Sequence, residues 1–285
     1  MAHHAHLLII DPQNDFCDLP ADYLPEIAGH RLAPALPVPG AHADMLRVAG
    51  FIRQAAPALA AISVTLDSHQ HIDIGHPTFW RLADGNPPEG FTPVTLADFD
   101  AGRITPRDPA ARDRVRGYLH ALEATGRYTH MVWPLHCEIG SWGHNIHAAV
   151  LAACNAWEDA RGLPVARVMK GSNPWTEHYS AIKAEVPDPA DPATQGNPVL
   201  IAALAQADTV FIAGEAASHC VKATTEHIVE ALGASQLRKL VLLTDCMSPV
   251  AGFEAAAQGF LADMQGRGLR MATAAEALGM LPARR

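Results

Sequence analysis

The sequence lacks any run of lysine and arginine, and its formal net charge is −9. A protein that binds a nucleic-acid backbone needs a cluster of cations, so we expect no nucleic-acid partner. It also lacks any stretch of about 20 apolar residues, so no membrane-spanning helix is expected. Met1–Asp11 leads into an apolar run without a cleavable signal pattern, and we therefore expect a cytoplasmic protein.

Cysteine is scarce, and its five residues are widely spaced, so we expect no disulfide framework. Histidine is abundant instead, with 16 residues, and several lie beside aspartate in short polar segments. That composition is typical of a transition-metal site, although most of the 16 are expected to be ordinary exposed side chains. The 49% hydrophobic and 18% charged residues are the balance of a globular protein.

Short apolar runs rich in valine and isoleucine alternate with longer segments that have helical periodicity. The short runs predict strands buried on both faces, and they are His6–Ile10, Ala60–Leu66, Tyr128–Trp133, Val165–Met169, Thr209–Ala213 and Lys239–Leu243. The predicted helices are Ala41–Ala56, Trp142–Arg161, Pro198–Ala205, Val221–Leu232 and Gly252–Arg267. This alternation predicts an α/β fold with an open, mostly parallel, six-stranded sheet and helices on both faces.

Two segments interrupt the alternation. Residues 81–126 contain Asn86-Pro87-Pro88, Asp108-Pro109 and many charges, which indicates an inserted excursion rather than a unit of the sheet. Residues 184–197 contain three prolines among acidic residues and are predicted to form a loop. Because there is no internal repeat, we interpret residues 1–285 as a single domain with these two enlargements.

Reactive side chains follow several of the predicted strands, at the edge where open parallel sheets bind their ligands. Taken singly, each has an ordinary explanation. Asp11 could be a base or a helix cap, and Lys170 a solvated charge. Asp67 and His69 are two residues apart in an extended segment and suit a metal. Cys220 could be a buried structural thiol, or a nucleophile whose pKa is lowered at a helix N-terminus.

The order and surroundings of these residues resemble one family, the nicotinamidase and isochorismatase-like cysteine hydrolases. The resemblance extends from Leu7 to about Gly252. The matching segments are Ile10–Phe16, Asp67-Ser68-His69 with His76-Pro77-Thr78-Phe79, Trp133-Pro134-Leu135-His136-Cys137, Met169-Lys170-Gly171 and Gly214–Val221. The family fold is a three-layer, Rossmann-like α/β sandwich, which agrees with the fold predicted from the apolar pattern.

The resemblance implies a catalytic triad of Asp11, Lys170 and Cys220. Asp11 would accept the thiol proton and later give it to departing ammonia, while Lys170 would favour both a thiolate and a charged Asp11. The backbone N–H groups of Ala216 and Cys220 would form the oxyanion hole. The family commonly has a cis peptide in this loop, which would be Glu215–Ala216.

The resemblance also implies one divalent transition metal ion, most simply Zn²⁺, with Mn²⁺ or Fe²⁺ as alternatives. Its ligands would be Asp67, His69 and His136, and His71 and His76 are further candidates. In nicotinamidases that ion is expected to orient the ring of the substrate. The predicted substrate-binding residues are Phe16, Trp133, Tyr179 and Glu215.

The substrate is expected to be a small carboxamide, nicotinamide first. Cys220 argues against an isochorismatase, and the metal ligands argue against a metal-free amidase. The enlargement at residues 81–126 leaves open another heteroaromatic or larger amide, and a non-catalytic binding paralogue is the alternative from a different class. Members of the family are often dimers or larger, so a homo-oligomer is expected.

Overall fold

The structure, a computed structural model, describes residues 3–281. At its centre is a six-stranded parallel sheet made of β1 (Ala5–Ile10), β2 (Leu59–Asp67), β3 (Ala166–Lys170), β4 (Thr209–Gly214), β5 (Leu240–Leu243) and β6 (Arg270–Ala272). The strand order is β6-β5-β4-β1-β2-β3. Every residue of β1 and β4 is buried, as expected for central strands that are covered on both faces. The predicted α/β fold class is confirmed.

Helices cover the sheet in two groups. The helices are α1 (Ala41–Ala55), α2 (Leu96–Asp100), α3 (Arg112–Thr125), α4 (Ala148–Arg161), α5 (Pro198–Gln206), α6 (Cys220–Leu232), α7 (Glu254–Gly266) and α8 (Ala274–Leu278). α1 packs against α4 and α8, whereas α5 packs against α6. Short 3-10 turns occupy Asn14–Phe16, Ala21–Tyr23, Pro77–Phe79, Pro109–Ala111, Pro192–Thr194 and Ala234–Lys239. No helix within residues 3–281 is long and apolar enough to cross a membrane.

One predicted strand lies outside the central sheet. The run Tyr128–Trp133 forms only a short strand, His130–Val132, which pairs antiparallel with Thr92–Val94 of the inserted segment. Its place among the six is taken by β6, whose Arg270 and Met271 are only partly buried at the sheet edge. A three-residue edge strand with an arginine has no apolar run, so the sequence pattern did not reveal it.

The inserted segment 81–126 is more regular than its composition indicated. It contains α2, α3 and two antiparallel ribbons, one formed by Trp80–Leu82 with Ile104–Pro106. These elements enclose a second hydrophobic cluster, in which Trp80, Phe99 and Leu119 are almost completely buried. The segment therefore packs as a layer with its own small core. The other predicted loop, residues 184–197, contains only the 3-10 turn Pro192–Thr194.

Candidate active site

The carboxyl ends of four neighbouring strands bring the predicted catalytic residues together. Asp67 and Lys170 are register partners at the ends of β2 and β3. Asp11 follows β1 directly, and the loop that leads from β4 to Cys220 begins at Gly214, the partner of Ile10. A Cβ on Gly214 would lie 1.9 Å from the carbonyl oxygen of Ile10, at a φ of +121°. Only glycine permits this close approach of the nucleophile loop to β1.

The ammonium group of Lys170 contacts several of the predicted site residues at once. Its Nζ lies 2.9 Å from Asp11 Oδ2 and 2.9 Å from Asp67 Oδ1. The same Nζ lies 3.6 Å from Cys220 Sγ and donates to the carbonyl oxygen of His178 at 3.1 Å. Four polar contacts around a side chain that is 1% exposed fix the ammonium group in place. One cation thus contacts a candidate base, a candidate nucleophile and a candidate metal ligand.

The charges of the cluster compensate one another. Burial disfavours the Lys170 ammonium, but Asp11 and Asp67 outweigh it and raise the pKa of Lys170. Burial also acts against ionised Asp67, yet His69 and Lys170 hold its pKa well below the usual range. Burial raises the pKa of Asp11, and Lys170 opposes that shift. Beyond the Lys170 ion pair, Asp11 Oδ2 accepts no hydrogen bond from the described residues, so it is free to take a proton.

Cys220 contradicts the expectation of a lowered thiol pKa. Burial raises the pKa of Cys220 well above its ordinary value, Lys170 opposes this shift, and the carboxylates of Asp11 and Asp67 add to it. The helix N-terminus and the single cation therefore do not produce a resting thiolate. A neutral thiol within 4.8 Å of the Asp11 carboxylate instead suits proton transfer during attack.

A cluster of histidines lies next to the triad. His69, His76 and His136 place nitrogen atoms within 4.8 Å of one another. Asp67 Oδ2 lies 3.2 Å from His69 Nε2 and 3.5 Å from His136 Nε2. The three predicted ligands therefore converge, together with His76. His71 is exposed and pairs with Glu138, outside this cluster.

The surroundings of the cluster fit a transition metal. A metal-bound histidine usually donates its second ring N–H to a carboxylate or a backbone carbonyl. His136 Nδ1 lies 2.8 Å from the carbonyl oxygen of Pro134, in this arrangement. His69 Nδ1 lies 3.2 Å from Asp73 Oδ2, an ion-pair contact that does not have hydrogen-bond geometry. His76 Nδ1 is buried and has no hydrogen-bond partner among the described residues. Nitrogen and carboxylate donors held in this way are the set that zinc and related ions prefer.

Gln13, which the sequence reasoning missed, fixes the loop that carries Asp67. Its side-chain amide accepts from the backbone N–H of Asp67 at 2.7 Å and donates to the Asp67 carbonyl oxygen at 2.8 Å. A second donation reaches the carbonyl oxygen of His144 at 3.0 Å. Gln13 lies within the matched motif Asp11–Phe16, and this position was the one sign in the sequence that it belongs to the site.

We expect Gln13→Ala to weaken metal binding, because it leaves the buried backbone of Asp67 without partners. Loss of an orienting group around a metal ligand typically costs about 10–100-fold in affinity. Metal titration by calorimetry measures the effect. Gln54→Ala, at an exposed glutamine on α1, is the matched control and should bind metal normally. Equal affinities in the two variants would contradict the positioning role of Gln13.

Asp15 joins the opening motif to the segment after His136. Its carboxylate accepts from the backbone N–H of Cys137 at 2.7 Å and of Ala35 at 3.0 Å. Gly143 packs directly on it, and a Cβ there would lie 2.0 Å from Asp15 Oδ2. The small residue at 143 is therefore a requirement of this contact.

Gly143→Ala should destabilise the fold by about 2 kcal/mol or more, because the overlap displaces a buried, hydrogen-bonded carboxylate. The free energy of unfolding in urea is the measurement. Gly117→Ala is the matched control, since Gly117 lies mid-helix in α3 and a Cβ added there would meet nothing within 4 Å. That control should stabilise the protein by about 0.5–1 kcal/mol. Two equal changes would contradict the close packing at Gly143.

A narrow cavity opens above Cys220. Its lining includes Phe16, Trp133 and Tyr179, as the resemblance implied, and Ala216. The side chain of Glu215 is not part of this lining. Four further lining residues come from separate loops, and they are Leu36, Glu177, His219 and Val250. His219, directly before Cys220, lies within a matched motif. No sequence pattern marked the other three.

The loop before Cys220 offers two backbone donors toward the cavity. The Glu215–Ala216 peptide is cis. Within the described part of the chain, neither the N–H of Ala216 nor that of Cys220 is among the backbone hydrogen bonds of the turns and caps. Both residues line the cavity. Free N–H groups at this position are what an oxyanion hole requires.

Comparison with solved structures finds nicotinamidases and pyrazinamidases. The yeast nicotinamidase Pnc1p, bound to the inhibitor nicotinaldehyde, aligns with a TM-score of 0.63 at 17% identity, covering 94% of this chain and 99% of that one. A nicotinamidase/pyrazinamidase of Acinetobacter baumanii aligns at 0.59 with 18% identity, covering 96% and 98%. The pyrazinamidase of Pyrococcus horikoshii in complex with zinc aligns at 0.53 with 19% identity, covering 95% and 99%.

At these identities the likeness establishes the fold. The chain has the architecture of the nicotinamidase and isochorismatase-like hydrolases over nearly its whole length, and the resemblance is confirmed at that level. A scan of protein-family models found no match, and a search of curated proteins found none either.

Proposed function

We propose that the protein is a metal-assisted cysteine amidohydrolase that converts nicotinamide to nicotinic acid and ammonia. The observation that supports this most strongly is the set of contacts made by Lys170. Its Nζ contacts Asp11, Asp67 and Cys220 at once, beneath a small cavity that His136 also lines. A structural lysine needs one counter-ion, whereas this arrangement joins a base, a nucleophile and a metal ligand.

The first half of the reaction would release ammonia. Asp11 Oδ2 takes the proton of the Cys220 thiol as Sγ attacks the carboxamide carbon. The carbonyl oxygen becomes negative and receives the N–H groups of Ala216 and Cys220. As the C–N bond breaks, Asp11 returns the proton to the departing nitrogen. Ammonia leaves, and the acyl group stays on Cys220 as a thioester.

The second half would regenerate the enzyme. Asp11, again ionised, takes a proton from a water molecule as its oxygen attacks the thioester carbon. The C–S bond breaks, the acid is released, and Cys220 recovers its proton from Asp11. Lys170 remains protonated throughout, because the carboxylates of Asp11 and Asp67 outweigh burial and raise its pKa. Its constant charge keeps Asp11 Oδ2 and Cys220 Sγ in place.

Asp67, His69 and His136 would hold the metal ion, with His76 as a further ligand. A bound ion would orient a heteroaromatic ring nitrogen so that the carboxamide faces Cys220. Phe16 and Trp133 would bound the ring, and Tyr179 receives a hydrogen bond from Trp133 Nε1 at 3.1 Å that fixes both side chains. The narrow cavity beside these aromatic side chains favours a single-ring amide over a larger one.

An amide panel assayed for ammonia release, with and without a chelator, tests the proposal. Nicotinamide should be the best substrate of the panel, and pyrazinamide should also be hydrolysed. Preference for a larger carboxamide would identify a different amidase of the same fold. No ammonia from any amide, with a folded and metal-loaded protein, would indicate a binding protein and overturn the proposal.

A further inference from the structure

Two acidic side chains lie together behind the nucleophile loop, away from the cavity. Glu215 is completely buried and Asp44, on α1, is 2% exposed. Ser248 donates a hydrogen bond to each of them. Its backbone N–H donates to Glu215 Oε2 at 3.1 Å, and its Oγ donates to Asp44 Oδ2 at 2.6 Å.

Only one of the two carboxyl groups has a cation that would balance its negative charge. Asp44 Oδ1 accepts from Arg47 Nη2 at 2.5 Å, so an ionised Asp44 has a cation beside it. Glu215 has none, and its Oε1 accepts from no donor among the described residues. The other nearby titratable groups are Asp18 and Cys17, which are acidic as well. A charged Glu215 would therefore face only like charge.

Glu215 and Asp44 both accept a hydrogen bond from Ser248, so the two carboxyl groups lie on either side of one residue. A completely buried carboxyl group without a cation beside it is stable only in its neutral form. Burial, together with the charge of Asp44, raises the pKa of Glu215 well above its usual range, in agreement with this. The proton therefore belongs to Glu215.

We propose that Glu215 is a positioning residue, a neutral buried acid whose contact with Ser248 holds the loop that presents Cys220. Ser248 completes this link, because its carbonyl oxygen also accepts from the backbone N–H of Ala217 at 2.8 Å. Ala216, a proposed oxyanion donor, lies between the two anchored residues. The functional consequence rests on the proposed role of Cys220, whereas the protonation of Glu215 does not.

Infrared spectroscopy of the resting protein tests the proton directly. At pH 8.5 the difference spectrum between wild type and Glu215→Gln should contain the C=O stretch of a protonated carboxyl group. This pH lies above the pKa of about 7 that burial gives Glu177 and Glu185, so those groups contribute little. Glu26→Gln, at an exposed position, is the control and should remove only a carboxylate band. A carboxylate band lost from Glu215→Gln would overturn the proposal.

The pH dependence of stability gives a second test that needs no turnover. Because the folded pKa of Glu215 lies above its ordinary 4.5, its stabilising contribution is complete below that pH and is lost as the pH rises toward the folded pKa. Glu215→Gln keeps a donor that cannot ionise. The folding equilibrium of wild type relative to this variant should fall by about tenfold per pH unit above pH 5. Parallel stability profiles would contradict a proton held by Glu215.

The kcat and KM of Glu215 variants distinguish a positioning role of this side chain from a role in packing alone. Glu215→Leu removes the hydrogen bonds at similar volume and should lower kcat by about tenfold or more with little change in KM, since the nucleophile is displaced. Glu215→Gln should restore most of that loss, and thermal unfolding confirms that both variants fold. If glutamine and leucine reduce kcat equally, the hydrogen bond between Ser248 and residue 215 does not position the loop. An inactive wild type would refute the proposed function but leave the infrared result standing.

Discussion

Cys220→Ala should abolish amide hydrolysis, with a loss in kcat on the order of 10⁴-fold or more, because no other group replaces Sγ as the nucleophile. The metal content and the melting temperature should stay close to those of wild type, since the thiol is not among the converging histidine ligands. Steady-state ammonia release and elemental analysis of the same preparation measure the two effects.

Cys154→Ala is the matched control for this substitution. Cys154 is a free, buried thiol on α4, within the main hydrophobic core. Its replacement should cost some stability through the lost packing and leave kcat unchanged. A large loss of activity in both variants would mean that the effect of Cys220→Ala reports general destabilisation rather than a missing nucleophile.

His69→Ala should lower metal affinity and reduce kcat/KM by about 10²-fold, because a substrate misplaced by about 1 Å loses that much in rate. His69 Nε2 lies 3.2 Å from Asp67 Oδ2, and its Nδ1 lies 3.2 Å from Asp73 Oδ2. The variant should nevertheless retain the Lys170 contacts with Asp11 and Cys220, because Asp11 follows β1 and Cys220 begins α6, away from the His69 loop. Metal titration and nicotinamide kinetics measure the two losses.

His71→Ala is the control for the histidine cluster. His71 is only two residues away, but it is exposed and pairs with Glu138. It should bind metal and turn over substrate as wild type does. If His71→Ala and His69→Ala lose metal equally, the site is not the one formed by His69, His76 and His136.

The fold was largely predictable from the pattern of apolar runs. Five of the six predicted strands pair in the central sheet, and four of them are largely buried, which requires continuous apolar runs. The fifth, Ala166–Lys170, was predicted to be buried on both faces but is a mostly exposed edge strand. The failures have physical causes. His130–Val132 found a partner in the inserted segment, and Arg270–Ala272 is a short edge strand without an apolar signature.

The candidate site was predictable where side chains stand at strand ends, since parallel strands bring those ends together. Asp11, Asp67 and Lys170 follow that rule. The cavity residues Leu36 and Val250 come from distant loops and obey no such rule. The direction of the Cys220 pKa shift could not be predicted either. The sequence indicated the helix N-terminus, which lowers a thiol pKa, but it did not indicate the burial that raises it.

Single-turnover mass spectrometry of the metal-loaded protein with nicotinamide tests the central claim most directly. We expect a transient adduct on Cys220, heavier than the free protein by the nicotinoyl group, that forms with ammonia release and decays as nicotinic acid appears. No adduct, together with hydrolysis by Cys220→Ala that chelation stops, would contradict this mechanism and assign the attack to a metal-bound water.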